Sequence, residues 1–509
     1  MIWLDTVERW GTQQIELAGP QEGNPFREVE LSAVFTRDDR SLEAHGFYDG
    51  EGRYQIRFMP EETGSWHFAT KSNVAKLDGL TGTFQCAPAS AGNHGPVRVR
   101  DTYHFAYADG TPYKPIGTTT YGWAHQQEQL ANETLQTLAA SPFNKLRMLI
   151  LPHYSPYSAE RIPCYPFAGE APDKWDFERL NPAYFQMLER RILKLLELGI
   201  EADLILMHPY SKEWGFDRMT AETDDFYIRY VINRFGAFRH VWWSVANEFD
   251  WVKAKTRADW ERMGNLVQQS DLYNRLVSIH NMYDMYENWR PWITHVSMQD
   301  GLAVANPGRA GVLRNVYRKP VIYDEVGYEG NMYRFHWGHV EAEELVRRFW
   351  RGTVEGTYVG HGEVFHPPGA TVAEVFAGIG GVWRGRSIER IGFLRNILEE
   401  GPARGIDPID EWVRVGVAGQ PGDYYLIYLG EQADRRWMFE IPSRGADELP
   451  PGTRFQVDVI DIWKMTIDPC ATVFEIVRKD DYLYKDVYDR YVELPDGADV
   501  AIRVTRVTE

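Results

Sequence analysis

The sequence predicts a multidomain chain: a central (β/α)8 TIM barrel flanked by an N-terminal β-sandwich and a C-terminal β-sandwich. Three observations predict it. The two ends of the chain alternate apolar and polar residues with period two, the pattern of antiparallel strands with one wet face. The middle carries eight short apolar runs separated by helical patterns, the signature of parallel strands with crossover helices. And 509 residues are too many for a single core. The boundaries read as 1–97, 98–402 and 403–509.

In the first domain, Val29, Leu31, Ala33 and Phe35 alternate with Glu30, Ser32 and Thr36. Tyr54, Ile56 and Phe58 alternate with Arg53, Gln55 and Arg57. Trp66 and Phe68 follow a Thr63-Gly64 turn, and the small and proline residues from Ala87 to Pro96 form the linker. The eight barrel runs are Pro115 to Tyr121, Asn144 to Leu151, Ala202 to His208, Val241 to Glu248, Leu276 to Asn281, Thr294 to Gln299, Val321 to Glu325 and Thr357 to Phe365. One helix between them is signposted at both ends: Asn181 caps it, Pro182 takes its first turn, and Gly199 ends it. Tyr184, Leu188, Ile192 and Leu195 line its apolar face. A doubly wound open sheet is the alternative, but no GxGxxG follows the first strand. In the last domain, the alternating sets Tyr424, Leu426, Tyr428, then Phe455, Val457, Val459, then Val500, Ile502, Val504 each read as a strand.

Composition narrows the function. Hydrophobic residues make up 44%, as in an ordinary packed protein. With 55 Lys and Arg against 73 Asp and Glu, the net charge is -18, which argues against nucleic acid and against an anionic membrane surface. No run approaches a membrane span. Cys86, Cys164 and Cys470 are far apart and odd in number, so neither a disulfide framework nor a CxxC metal site is supported. The N-terminus lacks the basic and apolar regions of a signal peptide, and a cytoplasmic location is expected. The 18 Trp and 28 Tyr suit a partner with sugar faces, although packing explains aromatics equally well.

The chemistry concentrates at strand exits, where barrel enzymes keep their working residues. Two apolar runs end on acids: Val241-Trp-Trp-Ser-Val-Ala-Asn247-Glu248 and Val321-Ile-Tyr-Asp-Glu325. A buried carboxylate needs a partner or a purpose. Two of them flanking one bond are the usual apparatus for glycoside cleavage. Singly, Glu248 is better explained as a helix N-terminal acid, and Glu325 as a loop ion pair.

Taken with their surroundings, these residues resemble clan A of the glycoside hydrolases. The carriers are Asn247-Glu248 after strand four, Glu325 after strand seven, Asn144-Lys-Leu-Arg147-Met on strand two, and Ile205-Leu-Met-His208 at the exit of strand three. The order sandwich, barrel, sandwich is similar to a poorly characterised branch of that clan. The resemblance implies Glu325 as nucleophile, its charge held by Arg147, and Glu248 as acid and then base. It implies that Asn247 donates to the sugar 2-hydroxyl. In many clan A families a Tyr or His at strand six touches the nucleophile; here Gln299 or Tyr328 stands in for it.

Further candidates surround these. His280 ends strand five, and His361 and Glu363 lie in Gly360-His-Gly-Glu-Val364 at strand eight. Trp123 and Trp383 are candidate sugar platforms, with Tyr210, Trp214 and Trp251 weaker ones; packing is the competing reading for each. A metal-dependent barrel hydrolase is the alternative enzyme, since His208, His280, His295 and His361 fall at or near strand ends. Strand one, Thr118-Thr-Thr-Tyr121, lacks the His-x-His pair such an enzyme uses, and there is no HExxH. A non-catalytic carbohydrate-binding protein is the third reading. The sequence therefore points to a retaining glycoside hydrolase, with no metal or cofactor, acting exo on a neutral β-linked oligosaccharide or glycoside. The loops Pro152 to Asn181 and Asn331 to Glu341 are read as walls of a pocket. The N-terminal sandwich is read as sealing one side of it or as mediating homo-oligomerisation.

Overall fold

The computed structural model describes residues 1–154, 162–299, 301–306, 308–329, 338–362, 365–366, 378–409, 416–431, 434–496 and 499–507, with the backbone alone at 302, 303 and 366. The N-terminal domain is a seven-stranded sheet path bent into two layers. Its long strand Arg40–Tyr48 makes the bend: residues 40–45 pair with Leu31–Arg37, and residues 46–48 pair with Arg53–Phe58. Ile15, Phe35, Ile56, Phe58, Trp66 and Phe84 fill the space between, with the Phe35 and Phe58 rings stacked at 4.1 Å. The alternation predicts Gln55 and Arg57 to face water. Instead that face docks on the barrel. Arg57 is buried, binds Glu189 at 2.6 Å and donates to the Arg234 carbonyl at 2.7 Å, while Arg234 pairs with Asp49 at 2.7 Å.

All eight predicted apolar runs contain a strand, and the eight form one parallel sheet that is nearly closed. In chain order the strands are Gly117–Thr119, Lys145–Leu149, Glu201–Met207, Val241–Ala246, Val277–Ser278, Val296–Gln299, Val321–Glu325 and Tyr358–His361. Strand one pairs with two and with eight, as closure requires. The remaining seam, between strands five and six, is bridged where Thr294 N–H reaches the Val277 carbonyl and Val277 N–H reaches Thr294 Oγ1, both at 2.8 Å. Strands two, three, four and seven are buried at every residue, which explains why their sequences run apolar rather than alternate. The helix Pro182–Glu197 starts on the Asn181 cap, whose Oδ1 accepts from Ala183 N–H at 3.2 Å, and its chain leaves through Gly199 at φ 69°.

The outer layer departs from a strict eightfold repeat. A helix follows strands one, two, three, four, six, seven and eight, but none lies between strands five and six. Asn281–Ile293 takes its place. Trp292 lies flat on the helix Arg257–Ser270 at Gly264, where a Cβ would strike the indole. Tyr286, Trp292 and Ile293 are buried in the core that a helix would otherwise complete.

The base of the barrel is closed by the strands Val97–Arg100, His104–Tyr107 and Pro112–Tyr113. Phe105 packs on Trp242 at 5.5 Å, at the start of strand four. The C-terminal domain is a nine-stranded sheet with its own core, and the three predicted strands are Tyr424–Gly430, Arg454–Asp461 and Val500–Arg506. It docks on barrel helices through the stacked Trp350–Tyr428 pair and the Arg347–Asp499 and Arg503–Glu400 ion pairs. The cysteines are unbridged. Among the described residues no helix is long and apolar enough to cross a membrane.

Candidate active site

Strand four ends at Ala246, and the chain turns sharply. Asn247 still holds the sheet, its N–H on the Met207 carbonyl at 2.9 Å. Glu248 then adopts φ 45° and ψ 52°, the left-handed region that side-chain-bearing residues rarely enter. A 3-10 turn, Phe249–Trp251, follows at once. The reversal leaves the Glu248 side chain at the barrel mouth, only 6% exposed. Glu325 is the last residue of strand seven and 1% exposed. A bulge between Met298 and Gln299 sets Gln299 opposite it.

The two carboxyls sit in contrasting environments. Glu325 accepts from two phenols: Tyr121 on Oε1, and Tyr328 on Oε2 at 2.7 Å. Hydrogen bonds of this kind favour the ionised form. Glu248 is pushed up to about 8, first by burial and then by the charge of Glu325; Tyr210 and Gln299 pull the other way. Tyr121 links the two strand ends, its hydroxyl lying 3.3 Å from Asn247 Oδ1 and on Glu325 Oε1. Glu248 Oε2 is buried with no hydrogen-bond partner among the described residues.

Below them lies a lattice of buried charge. Lys145 and Arg147 both point inward from strand two. Lys145 binds Asp203 at 2.7 Å and Asp324 at 2.8 Å. Arg147 reaches Asp203 at 3.4 Å, Asp324 at 3.2 Å and Ser297 Oγ at 3.0 Å, and donates to Asn247 Oδ1 at 2.8 Å. The resemblance assigns Arg147 to holding the charge of Glu325. In the structure its charge is shared: burial alone would lower its pKa, but Asp324, Asp203, Tyr121 and lastly Glu325 raise it. Asp324, despite burial, is held well below the usual carboxylate range by Lys145 and then Arg147. Arg147 thus fixes Asn247, whose Nδ2 donates to the Tyr210 phenol at 3.0 Å.

His280 is 3.9 Å from Glu325 Oε1 and neutral, with a pKa of about 3 because of its burial and then the nearby Arg147. His280 Nδ1 meets Ser297 Oγ at 3.1 Å and Nε2 meets Gln299 Oε1 at 3.3 Å, while Ser297 donates to the Asp324 carboxylate at 2.5 Å.

The other candidates divide. Tyr328 touches Glu325 directly. Gln299 joins the site beside His280 and Glu248. His208 supports it instead: Nε2–H donates to the Leu151 carbonyl at 3.0 Å and Nδ1 accepts from Tyr210 N–H at 3.1 Å, which sets the position of the Tyr210 ring. His361 is fully buried in the barrel wall against Phe143 and Thr118, because a strand residue facing the helix layer cannot also face the lumen. Trp123 is likewise fully buried in the core, held under Gly380, and offers no sugar platform. Trp214 is 3% exposed, also a packing residue. Trp383 is half-buried on the strand Val382–Trp383, which pairs antiparallel with Phe365–His366 after strand eight, and is edge-on to Phe365. Glu363 and residues 331–337 lie outside the described residues.

Sequence reasoning missed Tyr121 and undervalued Tyr210. Tyr121 closes the first apolar run, and that strand-exit position was its signal. The lattice also had a signal: Lys145 and Arg147 interrupt an otherwise apolar strand at period two, so both face the lumen. Among the described residues no group of three or more His, Cys, Asp or Glu side chains is arranged to hold a metal ion.

Residues 100–363, just over half of the chain, match the apiosidase-like catalytic domain. The chain belongs to the apiosidase-like family. Residues 6–73 and 412–505 match two domains of unknown function, DUF5060 and DUF5605. A crystal structure from Bacteroides vulgatus ATCC 8482, provisionally named a glycoside hydrolase, is 39% identical, covers 99% of this chain and 100% of that one, and superposes with a TM-score of 0.94. A family 5 glycoside hydrolase of the same organism, at 13% identity over 81% of this chain and 93% of that one with a TM-score of 0.57, shares the fold. A further structure named a glycoside hydrolase does the same, with 14% identity, 82% and 98% coverage, and a TM-score of 0.57. No curated protein matches the chain. Family and full-length relative together make this apiosidase-like protein a glycoside hydrolase, as the pair of glutamates led one to expect.

Proposed function

We propose that this apiosidase-like protein is a retaining glycosidase that works by double displacement on a neutral, β-linked glycoside, removing a terminal sugar. The observation that carries the reading is the contrast between the two acids. Glu325 is braced as an anion by two phenols, whereas Glu248 holds a proton near neutral pH and presents an unpartnered oxygen.

In the first step a Glu325 oxygen attacks the anomeric carbon. The bond to the leaving group breaks, and the Glu248 proton moves to the departing oxygen, leaving Glu248 ionised. Glu325 is then a neutral ester, so the repulsion that helps keep Glu248 protonated vanishes. Glu248 now takes a proton from water as that water attacks the same carbon and frees Glu325. Asn247, fixed by Arg147, is offered to the sugar 2-hydroxyl. The family name makes an apiosyl glycoside the first substrate to try.

The test is a screen of nitrophenyl glycosides, with the first-formed anomer followed by NMR. Retention is expected, and inversion overturns the mechanism. Glu325→Ala should abolish turnover of an activated aryl glycoside, and azide should restore it as the glycosyl azide of opposite configuration. Near-normal activity in Glu325→Ala removes Glu325 from the reaction.

A further inference from the structure

Immediately beyond the acid, two large rings stand at the barrel mouth. Trp251 is 38% exposed and Tyr283 is 72% exposed, and their centroids are 6.0 Å apart with a 54° tilt. Trp251 closes the 3-10 turn that Glu248 opens, its N–H on the Glu248 carbonyl at 2.8 Å. Tyr283 is brought alongside by Asp250, whose carboxylate accepts from the consecutive N–H groups of Met282, Tyr283 and Asp284 at 2.7, 2.8 and 3.1 Å. Met282 Sδ in turn accepts from Gln299 Nε2 at 2.9 Å, and Gln299 adjoins Glu248. Asp250, Met282 and Gln299 thus tie the two rings to the acid in a single brace.

Packing accounts for part of Trp251 but not for Tyr283, which buries little. A second ring pair, the exposed Trp289 and the half-buried Tyr317, belongs to the opposite end of the barrel, beside Lys319, which precedes strand seven. The Trp251 pair, by contrast, has one member in the same turn as Glu248. Ring faces bind sugar C–H faces and aryl rings alike, at low entropic cost when pre-positioned.

We infer that Trp251 and Tyr283 form the leaving-group subsite, gripping a flat-faced ring, either a second sugar or an aryl aglycone, on the far side of the scissile bond. The inference rests on the proposed acid role of Glu248, because the acid lies on the side where the leaving group departs. It makes the enzyme a glycosidase for substrates with a ring on both sides of the bond.

Two measurements test it on the full chain. The first does not need turnover: saturation-transfer NMR with phenyl β-D-glucopyranoside, methyl β-D-glucopyranoside and cellobiose. In the wild type, transfer to the phenyl protons or to one cellobiose ring should exceed that to the methyl glycoside, and Trp251→Ala and Tyr283→Ala should each reduce that excess at least fivefold. Which of the two ligands responds distinguishes an aryl from a sugar leaving group. The second compares kcat/KM for the aryl glycoside and the glycosyl fluoride of whichever sugar the screen identifies. The aryl-to-fluoride ratio should fall about tenfold in either variant and recover in Trp251→Phe and Tyr283→Phe. An unchanged excess together with an unchanged ratio overturns the subsite. If no glycoside is hydrolysed by the wild type, the proposed function fails, and the NMR comparison alone decides whether the rings bind a sugar or aryl face.

Discussion

Replacing Glu325 by Gln keeps the shape of the site and removes one charge, so it isolates the repulsion that the proposed mechanism uses. At the ~5.5 Å spacing of a retaining pair and an effective dielectric of ~20, two unit charges repel by about 3 kcal/mol. That corresponds to about two pKa units. Glu248 stands at about 8 against an ordinary 4.5, with burial the larger cause and Glu325 the second. In Glu325→Gln it should therefore titrate near ~6, still raised by burial but released from its neighbour. The assay is a 13C NMR titration of protein labelled at the glutamate side-chain carboxyl, with Glu248→Gln to assign the resonance. A Glu248 that titrates near 8 in both proteins refutes the repulsion. A wild-type Glu248 in the ordinary glutamate range refutes the whole picture of a proton held for the leaving group. The same quantity governs catalysis: with Glu248 as the acid, kcat/KM should fall as pH rises through about 8.

The native state binds a proton on Glu248 that the unfolded chain releases above about 4.5, so the stability linked to this group is full below that pH and drains away as pH rises toward 8. The loss amounts to about 3 kcal/mol by neutrality; Glu248→Gln should escape it and show a flatter thermal midpoint against pH, and parallel curves would contradict the linkage. Tyr328→Phe removes a hydrogen bond to an ionised Glu325 and should lower kcat by about tenfold to a hundredfold, with little change in KM; a change confined to KM would argue against contact with the nucleophile in the transition state. Lys145→Met strips the nearest cation from Asp203 and Asp324 and should cost about 3–5 kcal/mol in a denaturant titration; a neutral result would mean the lattice is solvated. Asn247→Ala should penalise an ordinary glycoside but not its 2-deoxy analogue, and equal losses on both would remove the 2-hydroxyl contact. EDTA should leave turnover intact, whereas loss restored by zinc would favour a metal-dependent enzyme.

The strands were legible because burial on both faces forces continuous apolar runs, and each of the eight runs holds one. The acids were legible because a carboxylate at the end of such a run needs a purpose. What stayed hidden depends on direction rather than type. His361 and Tyr328 are both polar residues near strand exits, yet one faces Phe143 in the wall and the other faces Glu325. Trp123 and Trp251 each follow a strand in a short 3-10 turn, yet one is fully buried and the other is 38% exposed. The missing fifth helix was hidden too. Nothing in Asn281–Ile293 announces that Trp292 will lie where a helix belongs; the complementary signal is Gly264, in a different element.

The backbone at Glu248 links these threads. A left-handed glutamate costs on the order of 1–3 kcal/mol, and such strain persists only where neighbours enforce it. Here Asn247 is held on the strand-three side by Arg147 and Tyr210, and Phe249 is held on the strand-five side by its N–H on the His280 carbonyl at 3.0 Å. The turn between them is thus pinned on both sides. If the strain serves catalysis, Glu248→Gly, which adopts this conformation without penalty, should stabilise the fold by about 1 kcal/mol while losing the acid. Its turnover of substrates with good leaving groups should survive far better than that of substrates with poor ones. A destabilised Glu248→Gly would show instead that the carboxyl, not the turn, holds this corner of the barrel together.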